Sequence, residues 1–388
     1  MTQEFIDFVL EHRHDDTARL LFSASRYPDI DMPLAVNQIE GQRTAEEKWP
    51  SLLNEEAFLY PPRLNREQAS SEATAHYKAS LTTAVSVTDL TGGMGIDTLA
   101  FARGAGHVDY VEHENTLCSL MEHNCHVLGI SNIRCHCSDS LAWLETQELC
   151  DLIYIDPARR SASGRKVTAF EDCTPDILPH LDILYRHCKQ LLVKASPMID
   201  IHLAIKQLGR VEEVHVVAVK GECKEVLFLC GKPTDDPLLH CVNIQGTNAV
   251  ETFSFRRSEE QAAGICHTDT VGLYLYDPHA ALRKAQCFHL PAQRYNLSML
   301  APNTHLYTSD ERVPDFPGRT FKVLCEVPLN RKAVKEGLPD GKAHVVVRNF
   351  PAEAATLQKQ LGLSEGGDLF VIATTVGTRR LGLLCQAV

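Results

Sequence analysis

The sequence predicts an α/β protein whose centre is a largely parallel sheet covered on both faces by helices. Three observations predict it. Between residues 81 and 230, apolar strand-like runs alternate with helical stretches, a pattern that parallel strands with crossover helices satisfy. Residues 1–80 read as helical, with no run of strands. The last two strand-like runs are separated only by Lys220-Gly-Glu-Cys, too short for a helical crossover, so an antiparallel hairpin must join them.

Taken in order, the expected elements are a strand at 85–90 and a helix at 97–103, a strand at 107–112 and a helix at 117–127, then a strand at 133–136 and a helix at 141–144. Next come a strand at 151–155, a helix near 175–188, a strand at 191–194 and a helix near 199–208. Strands at 211–219 and 224–230 close the unit. Thr174-Pro175-Asp176 reads as a helix start, with an N-cap, a proline at the first helical position and an acid favoured by the helix dipole. Periodicity breaks at Gly231-Lys-Pro-Thr-Asp-Asp-Pro, which reads as a linker. The division expected is a helical region at 1–80, the main α/β domain at 81–231, a small α+β (ferredoxin-like) domain at 232–318 and a last unit at 319–388.

At 388 residues with 44% apolar and 23% charged residues, the chain has material for several cores and no sign of disorder. Its opening segment lacks the basic and apolar regions of a secretion signal, and no run approaches a membrane span, so a cytoplasmic protein without membrane contact is expected. The fourteen cysteines are scattered singly apart from Cys135-His136-Cys137. They read as free thiols of a reducing compartment, and no metal is expected.

The sharpest feature is Asp89-Leu-Thr-Gly-Gly-Met-Gly95-Ile-Asp97, at the junction of the first strand and its helix. Gly92, Gly93 and Gly95 allow a tight turn and close approach of a ligand to the backbone. A nicotinamide-binding register started at Gly93 and Gly95 meets Thr98 where the third small residue belongs. Asp89 would also repel a pyrophosphate and suits a ligand with an ammonium group better. Three more acids end the following strands. Glu112 stands 23 residues after Asp89, where a carboxylate can accept from both ribose hydroxyls. Asp139 is placed for an adenine amino group, and Asp156 opens Asp156-Pro-Ala-Arg-Arg160. Ligands of parallel sheets bind at the carboxyl ends of the strands, where all four acids fall.

This set of motifs resembles a class I S-adenosylmethionine-dependent methyltransferase over residues 81–230. The resemblance implies a Rossmann-like seven-stranded sheet whose seventh strand is antiparallel. It also implies that Asp89, Gly92, Gly93, Gly95, Glu112 and Asp139 hold S-adenosylmethionine. More narrowly, Glu67-Gln-Ala-Ser-Ser-Glu-Ala-Thr74, the Asp156 loop, Glu171-Asp-Cys-Thr-Pro-Asp-Ile177 and Lys194-Ala-Ser-Pro-Met-Ile-Asp200 resemble a bacterial family of RNA methyltransferases ending in a THUMP-like domain. Phe316-Pro-Gly-Arg-Thr-Phe321 and Arg348-Asn-Phe-Pro351 look like markers of that domain.

Asp156, Pro157 and Arg159 are then the expected acceptor side. In amino-group methyltransferases the corresponding loop is Asp/Asn-Pro-Pro plus an aromatic that stacks on the flipped base. Here Ala158 and Arg159 replace the second proline and the aromatic. Four cations fall within Arg159–Lys166, as suits a polyanion. Lys194 ends the fifth strand, facing the pocket or forming an ion pair, and Ser70-Ser71-Glu72 is either a lid or a helix start.

The net charge of −12 opposes a wholly nucleic-acid-coated surface, yet it is uneven: −6 over 1–80, −10 over 81–318 and +4 over 319–388. Seven of the ten basic residues of that last segment fall between Arg319 and Arg348. The expectation is methylation of a base in structured RNA, rRNA or tRNA, with RNA contacting the Arg159–Lys166 loop and the basic C-terminal unit. The alternatives are a small-molecule methyltransferase, which would not need that basic segment, and a non-catalytic RNA-binding protein, which the departure at Ala158-Arg159 favours.

Overall fold

A computed structural model describes residues 2–159, 170–246, 249–338 and 340–388, apart from the side chains of Arg159 and Asp172. Five helices precede the first strand: α1 (Gln3–Glu11), α2 (Thr17–Phe22), α3 (Met32–Lys48), α4 (Arg63–Gln68) and α5 (Glu72–Ser80). Side-chain oxygens start several of them; Asp31 accepts from Leu34 N–H at α3, and Ser71 accepts from Thr74 N–H at α5. Ser71 thus caps α5, the helix start expected at that segment.

The strands and helices then alternate as β1 (Ser86–Asp89), α6 (Ile96–Ala102), β2 (His107–Glu112), α7 (Asn115–Val127), β3 (Ile133–Cys137), α8 (Ser140–Leu144) and β4 (Cys150–Ile155). Two short strands, β5 (Ala158–Arg159) and β6 (Cys173–Thr174), pair antiparallel. They are followed by α9 (Leu181–His187), β7 (Cys188–Ala195), α10 (Ile201–Leu208), β8 (Val211–Val219) and β9 (Glu222–Cys230). Seven of the nine strands of this sheet run in the order β3-β2-β1-β4-β7-β9-β8. Its members up to β7 are parallel, and β9 runs antiparallel to β7. The hairpin turns through Lys220 and Gly221, both at positive φ (50° and 82°), the pair of conformations that a two-residue turn between twisted strands requires.

Thr174 corrects one expectation. It does not cap a helix: it pairs with Ala158, and helical structure begins only at Leu178–His180 and α9. The Thr174–Pro175 peptide is cis. The local cap signal lost to a backbone partner sixteen residues upstream, which no short-range pattern reveals.

The chain divides into two compact units, Met1–Val214 with Glu225–Asp235, and His215–Lys224 with Asp236–Val388. In the first, the helical segment and the sheet domain share a core of Trp49, Phe58, Tyr60, Ala75, Met94, Tyr110 and Met121. Asn124 on α7 binds both backbone groups of Leu59, donating at 2.9 Å and accepting at 2.8 Å. Gln38 does the same for Tyr60 at 3.0 and 2.8 Å. These amides satisfy buried backbone groups of the extended 59–60 segment that a strand partner would otherwise take.

The second unit holds β10 (Leu238–Ile244) and β11 (Val250–Arg256), an antiparallel pair, then α11 (Arg257–Ala262) and β12 (Cys266–His267). After these come β13 (Tyr274–Pro278), α12 (Ala280–Ala285), α13 (His289–Arg294), β14 (Ser298–Met299), β15 (Tyr307–Ser309) and β16 (Gly318–Val327). The chain ends with α14 (Arg331–Gly337), β17 (His344–Val347), α15 (Ala354–Leu361), β18 (Leu369–Val376) and β19 (Arg379–Ala387). Strands β12 to β19 form one mixed sheet in the order β12-β14-β15-β13-β16-β19-β18-β17. Among the described residues, no helix is long and apolar enough to cross a membrane.

Candidate functional site

The loop between β1 and α6 is shaped from within. Asp89 is 1% exposed, and both its oxygens are used locally: Thr91 N–H donates to one at 3.0 Å and the Thr98 hydroxyl to the other at 2.6 Å. Burial pushes its carboxyl up to about 7 against the pull of those two bonds. Asp89 thereby braces the loop from beneath. A Cβ on Gly92 would overlap the Tyr110 ring, and one on Gly95 the Met121 sulfur, with Gly95 also at φ +83°. Gly93 is different. At φ +53° its Cβ direction meets only Thr91 O, at 3.7 Å, so the loop is open there.

Glu112 joins the second strand to that loop. Its carboxylate accepts from Gly93 N–H at 2.9 Å and from Glu114 N–H at 2.9 Å, one bond on each oxygen, and His113 Nδ1 lies 2.8 Å away. A carboxylate oxygen has two acceptor positions, so Oε2, which takes only Gly93 N–H, keeps one for a further donor, while Oε1 faces both Glu114 N–H and His113 Nδ1. Asp139 is exposed at the end of β3, where it also accepts from Leu141 and Ala142 N–H at the start of α8. The open backbone at Gly93 and the spare acceptor position on Glu112 Oε2 fit a nucleoside with a free ribose hydroxyl.

Asp156 follows β4. Its N–H donates to the Thr91 hydroxyl at 2.7 Å, linking it to the glycine loop, and its Oδ2 accepts from Lys194 Nζ. Pro157 is buried beside it. Of the expected acceptor residues, Arg159 is placed by its backbone in β5 alone, and residues 160–166 of the cationic loop lie outside the described residues.

Sequence reasoning missed what stands behind Asp156. Lys78 on α5 is fully buried and pairs with Glu225 on β9 and with Asp97 on α6, 3.2 Å away. Asp97 also accepts from the Tyr154 hydroxyl at 2.8 Å and the Ser70 hydroxyl at 2.7 Å. Burial raises the Asp97 carboxyl, but Lys78, Lys194 and these hydroxyls outweigh it and hold it below its ordinary value. One signal was available: Thr74, Ala75 and Lys78 share a buried helix face at helical spacing, and a lysine there needs a partner.

In the second unit, three guanidiniums converge on Asp277, which is 1% exposed. Arg348 donates through Nε and Nη2 to its two oxygens at 2.9 Å, Arg319 donates at 2.7 Å and Arg283 at 3.3 Å. Burial favours the neutral acid, yet the arginines, Arg348 foremost, hold this carboxyl below its usual range. The cluster keeps a surplus of two positive charges, and Arg319 is half exposed over the Phe321 and Phe370 rings.

A parallel sheet in this order, closed by an antiparallel seventh strand and carrying a glycine loop after its first strand, is the fold of a class I methyltransferase. A crystal structure of a candidate methyltransferase from Porphyromonas gingivalis W83 matches with a TM-score of 0.86 and 30% identity, over 99% of this chain and 97% of that one. The chain belongs to the family of that protein, methyltransferases that carry a ferredoxin-like domain, matched here at residues 274–317, and a THUMP-like domain, matched at 318–387. Two other solved structures are similar only in part. A candidate class I S-adenosylmethionine-dependent methyltransferase from Listeria monocytogenes has TM-score 0.39 and 15% identity over 64% of this chain and 95% of its own. A candidate methyltransferase from Streptococcus mutans in complex with S-adenosylhomocysteine has TM-score 0.26 and 12% identity over 31% and 69%. No curated protein matches this chain.

Proposed function

We propose that this protein transfers a methyl group from S-adenosylmethionine to structured RNA, rRNA or tRNA, in the cytoplasm. The observation that carries the reading is the contact between Glu112 and Gly93 N–H at 2.9 Å, which sets a ribose-binding carboxylate against an open glycine loop at the carboxyl ends of parallel strands. Gly92, Gly93 and Gly95 with Glu112 and Asp139 would hold the cofactor, and Asp89 would keep the loop in shape. When bound, the cofactor supplies an electrophilic methyl group on a sulfonium, so the chain's own residues have chiefly to position an acceptor and manage its proton.

Asp156, with Pro157 and Arg159, forms the acceptor side. The Arg159–Lys166 segment and the basic unit at 319–388 contact the RNA backbone, while the acidic region at 1–80 stays free of it. Arg319 and Arg348 contribute to that basic unit through their shared surplus over Asp277. The division of labour follows the boundaries 1–80, 81–231, 232–318 and 319–388.

Calorimetry with S-adenosylmethionine and transfer of labelled methyl groups into RNA from a strain lacking the protein test this reading. Absence of cofactor binding would sink it, as would turnover of a small molecule that survives loss of the basic C-terminal segment.

A further inference from the structure

The acid of the acceptor loop is tied to a lysine, and that decides which kind of atom can be methylated there. Strands β4 and β7 are parallel neighbours with Ile155 opposite Val193. The next residues, Asp156 and Lys194, therefore stand side by side at the carboxyl ends, joined by the bond from Lys194 Nζ to Asp156 Oδ2. Asp156 is 32% exposed and Lys194 12%, so this pair reaches the surface of the site, whereas Lys78 and Glu225 lie wholly beneath. Burial weakens the hold of Lys194 on its proton. The carboxylates of Asp156, Glu225 and Asp97 outweigh burial and hold it protonated, with its pKa above the ordinary lysine value.

We propose that the acceptor is the 2′-hydroxyl of a ribose in the RNA chain, with Asp156 taking its proton and Lys194 donating a hydrogen bond to the reacting oxygen. This rests on the reading of the protein as an RNA methyltransferase and replaces the base acceptor that the sequence suggests.

The sign of one charge separates the two chemistries. An amino nitrogen becomes cationic as its bond to the methyl carbon forms. An ammonium held beside it opposes that charge. An oxygen losing its proton becomes anionic, and the same ammonium stabilises it. A lysine fixed in its charged form beside the acceptor acid thus handicaps amine methylation and assists methylation at a hydroxyl.

The loop agrees with this. Ala158 and Arg159 follow Pro157 with no aromatic to hold a flipped base. In an internal RNA nucleotide the 3′ and 5′ oxygens are taken by phosphodiesters, so the free sugar hydroxyl is the 2′ one.

Asp156 accepts the hydroxyl proton as the oxygen–methyl bond forms and the donor's carbon–sulfur bond breaks, its electron pair staying on sulfur. Sulfonium, carboxylate and hydroxyl thereby become thioether, carboxylic acid and methyl ether, with no net change of charge. Glu225 and Asp97 act through Lys194 by keeping it charged, and Lys78 holds both of them in place, so these three are positioning residues.

The test uses the full-length protein, methyl-tritiated S-adenosylmethionine and total RNA from a strain lacking the protein, followed by alkaline digestion. A 2′-O-methyl group blocks cleavage at its own phosphodiester, so the label should elute in alkali-stable dinucleotides. Label confined to mononucleotides overturns the hydroxyl acceptor while leaving RNA methylation standing. No label in RNA overturns both. Lys194→Met gives a second measurement: calorimetric affinity for S-adenosylmethionine should stay within about 3-fold, while transfer falls about 100-fold. Lys194→Arg, which keeps the cation, should recover part of that loss. Transfer by Lys194→Met at the wild-type rate overturns the proposal.

Discussion

Lys78 donates to both carboxylate oxygens of Glu225 at 2.8 Å, across 147 residues of chain. Both side chains are almost fully buried, at 0% and 2% exposure. Removing one partner of such a pair leaves an uncompensated charge and typically costs about 3–5 kcal/mol. Lys78→Met should therefore lower the urea midpoint strongly, and the double variant Lys78→Met/Glu225→Leu should recover part of the loss, the rest lying in Asp97, which stays without Lys78. If the double variant is as unstable as the sum of the two single ones, the pair is not a closed unit.

Glu112→Ala removes the acceptor of Gly93 N–H and Glu114 N–H and the group assigned to the ribose. S-Adenosylmethionine should bind about 10- to 100-fold more weakly by calorimetry, since hydrogen bonds to a charged group contribute about 1.5–3 kcal/mol. Unchanged affinity would remove Glu112 from the site.

Gly95 faces two constraints, positive φ and the Met121 sulfur lying where a Cβ would go. Gly95→Ala should lose about 1–3 kcal/mol in chemical unfolding, from the backbone conformation and the overlap together. Gly95→Ala/Met121→Ala relieves only the overlap, so it should not regain wild-type stability. Full recovery would place the whole cost in the side-chain clash.

The alternation of strands and helices was legible because each element carries its own periodicity, and the hairpin because Lys220-Gly221 is a local turn signal. Glu112 and the glycine loop were legible for a similar reason: strand ends can be counted. What could not be read were pairings whose partners are far apart in the chain. Lys78 looks like an ordinary helix lysine until β9 brings Glu225 to it, and Thr174 looks like a cap until Ala158 pairs with it. Asp277 with Arg319 and Arg348 belongs to the same class, spanning 42 and 71 residues.

Arg348 grips Asp277 through two parallel donors, a fork that an ammonium cannot reproduce. Arg348→Lys should therefore destabilise the protein by about 1–2 kcal/mol although the charge is retained. Asp277→Asn should cost more, because three guanidiniums are left facing one another without their counter-charge. Chemical unfolding monitored by circular dichroism distinguishes these outcomes; wild-type stability in Arg348→Lys would mean that charge, not geometry, holds the cluster.

Asp89 in the first unit and His279 in the second should contribute to stability with opposite pH dependence. Burial raises the Asp89 carboxyl to about 7, so the native first unit binds this proton more tightly than the unfolded chain does. That stabilisation is complete below the unfolded value of about 3.9 and is lost as pH rises through 7, at no more than about 1.4 kcal/mol per pH unit. His279 in the second unit is 6% exposed, and burial, aided by the Arg283 charge, depresses it to about 4. It is neutral when folded, so its stabilisation is present above the unfolded value of about 6.5 and is lost as pH falls from there through 4. Both tryptophans, Trp49 and Trp143, lie in the first unit, so their fluorescence follows that unit alone, while hydrogen exchange on β13 and β16 follows the second. Asp89→Asn should flatten the loss of tryptophan-monitored stability between pH 5 and 8, and His279→Gln should flatten the acid-side loss of protection on β13 and β16. A stability difference between wild type and Asp89→Asn that stays constant across that range would show that Asp89 carries no raised proton in the folded chain.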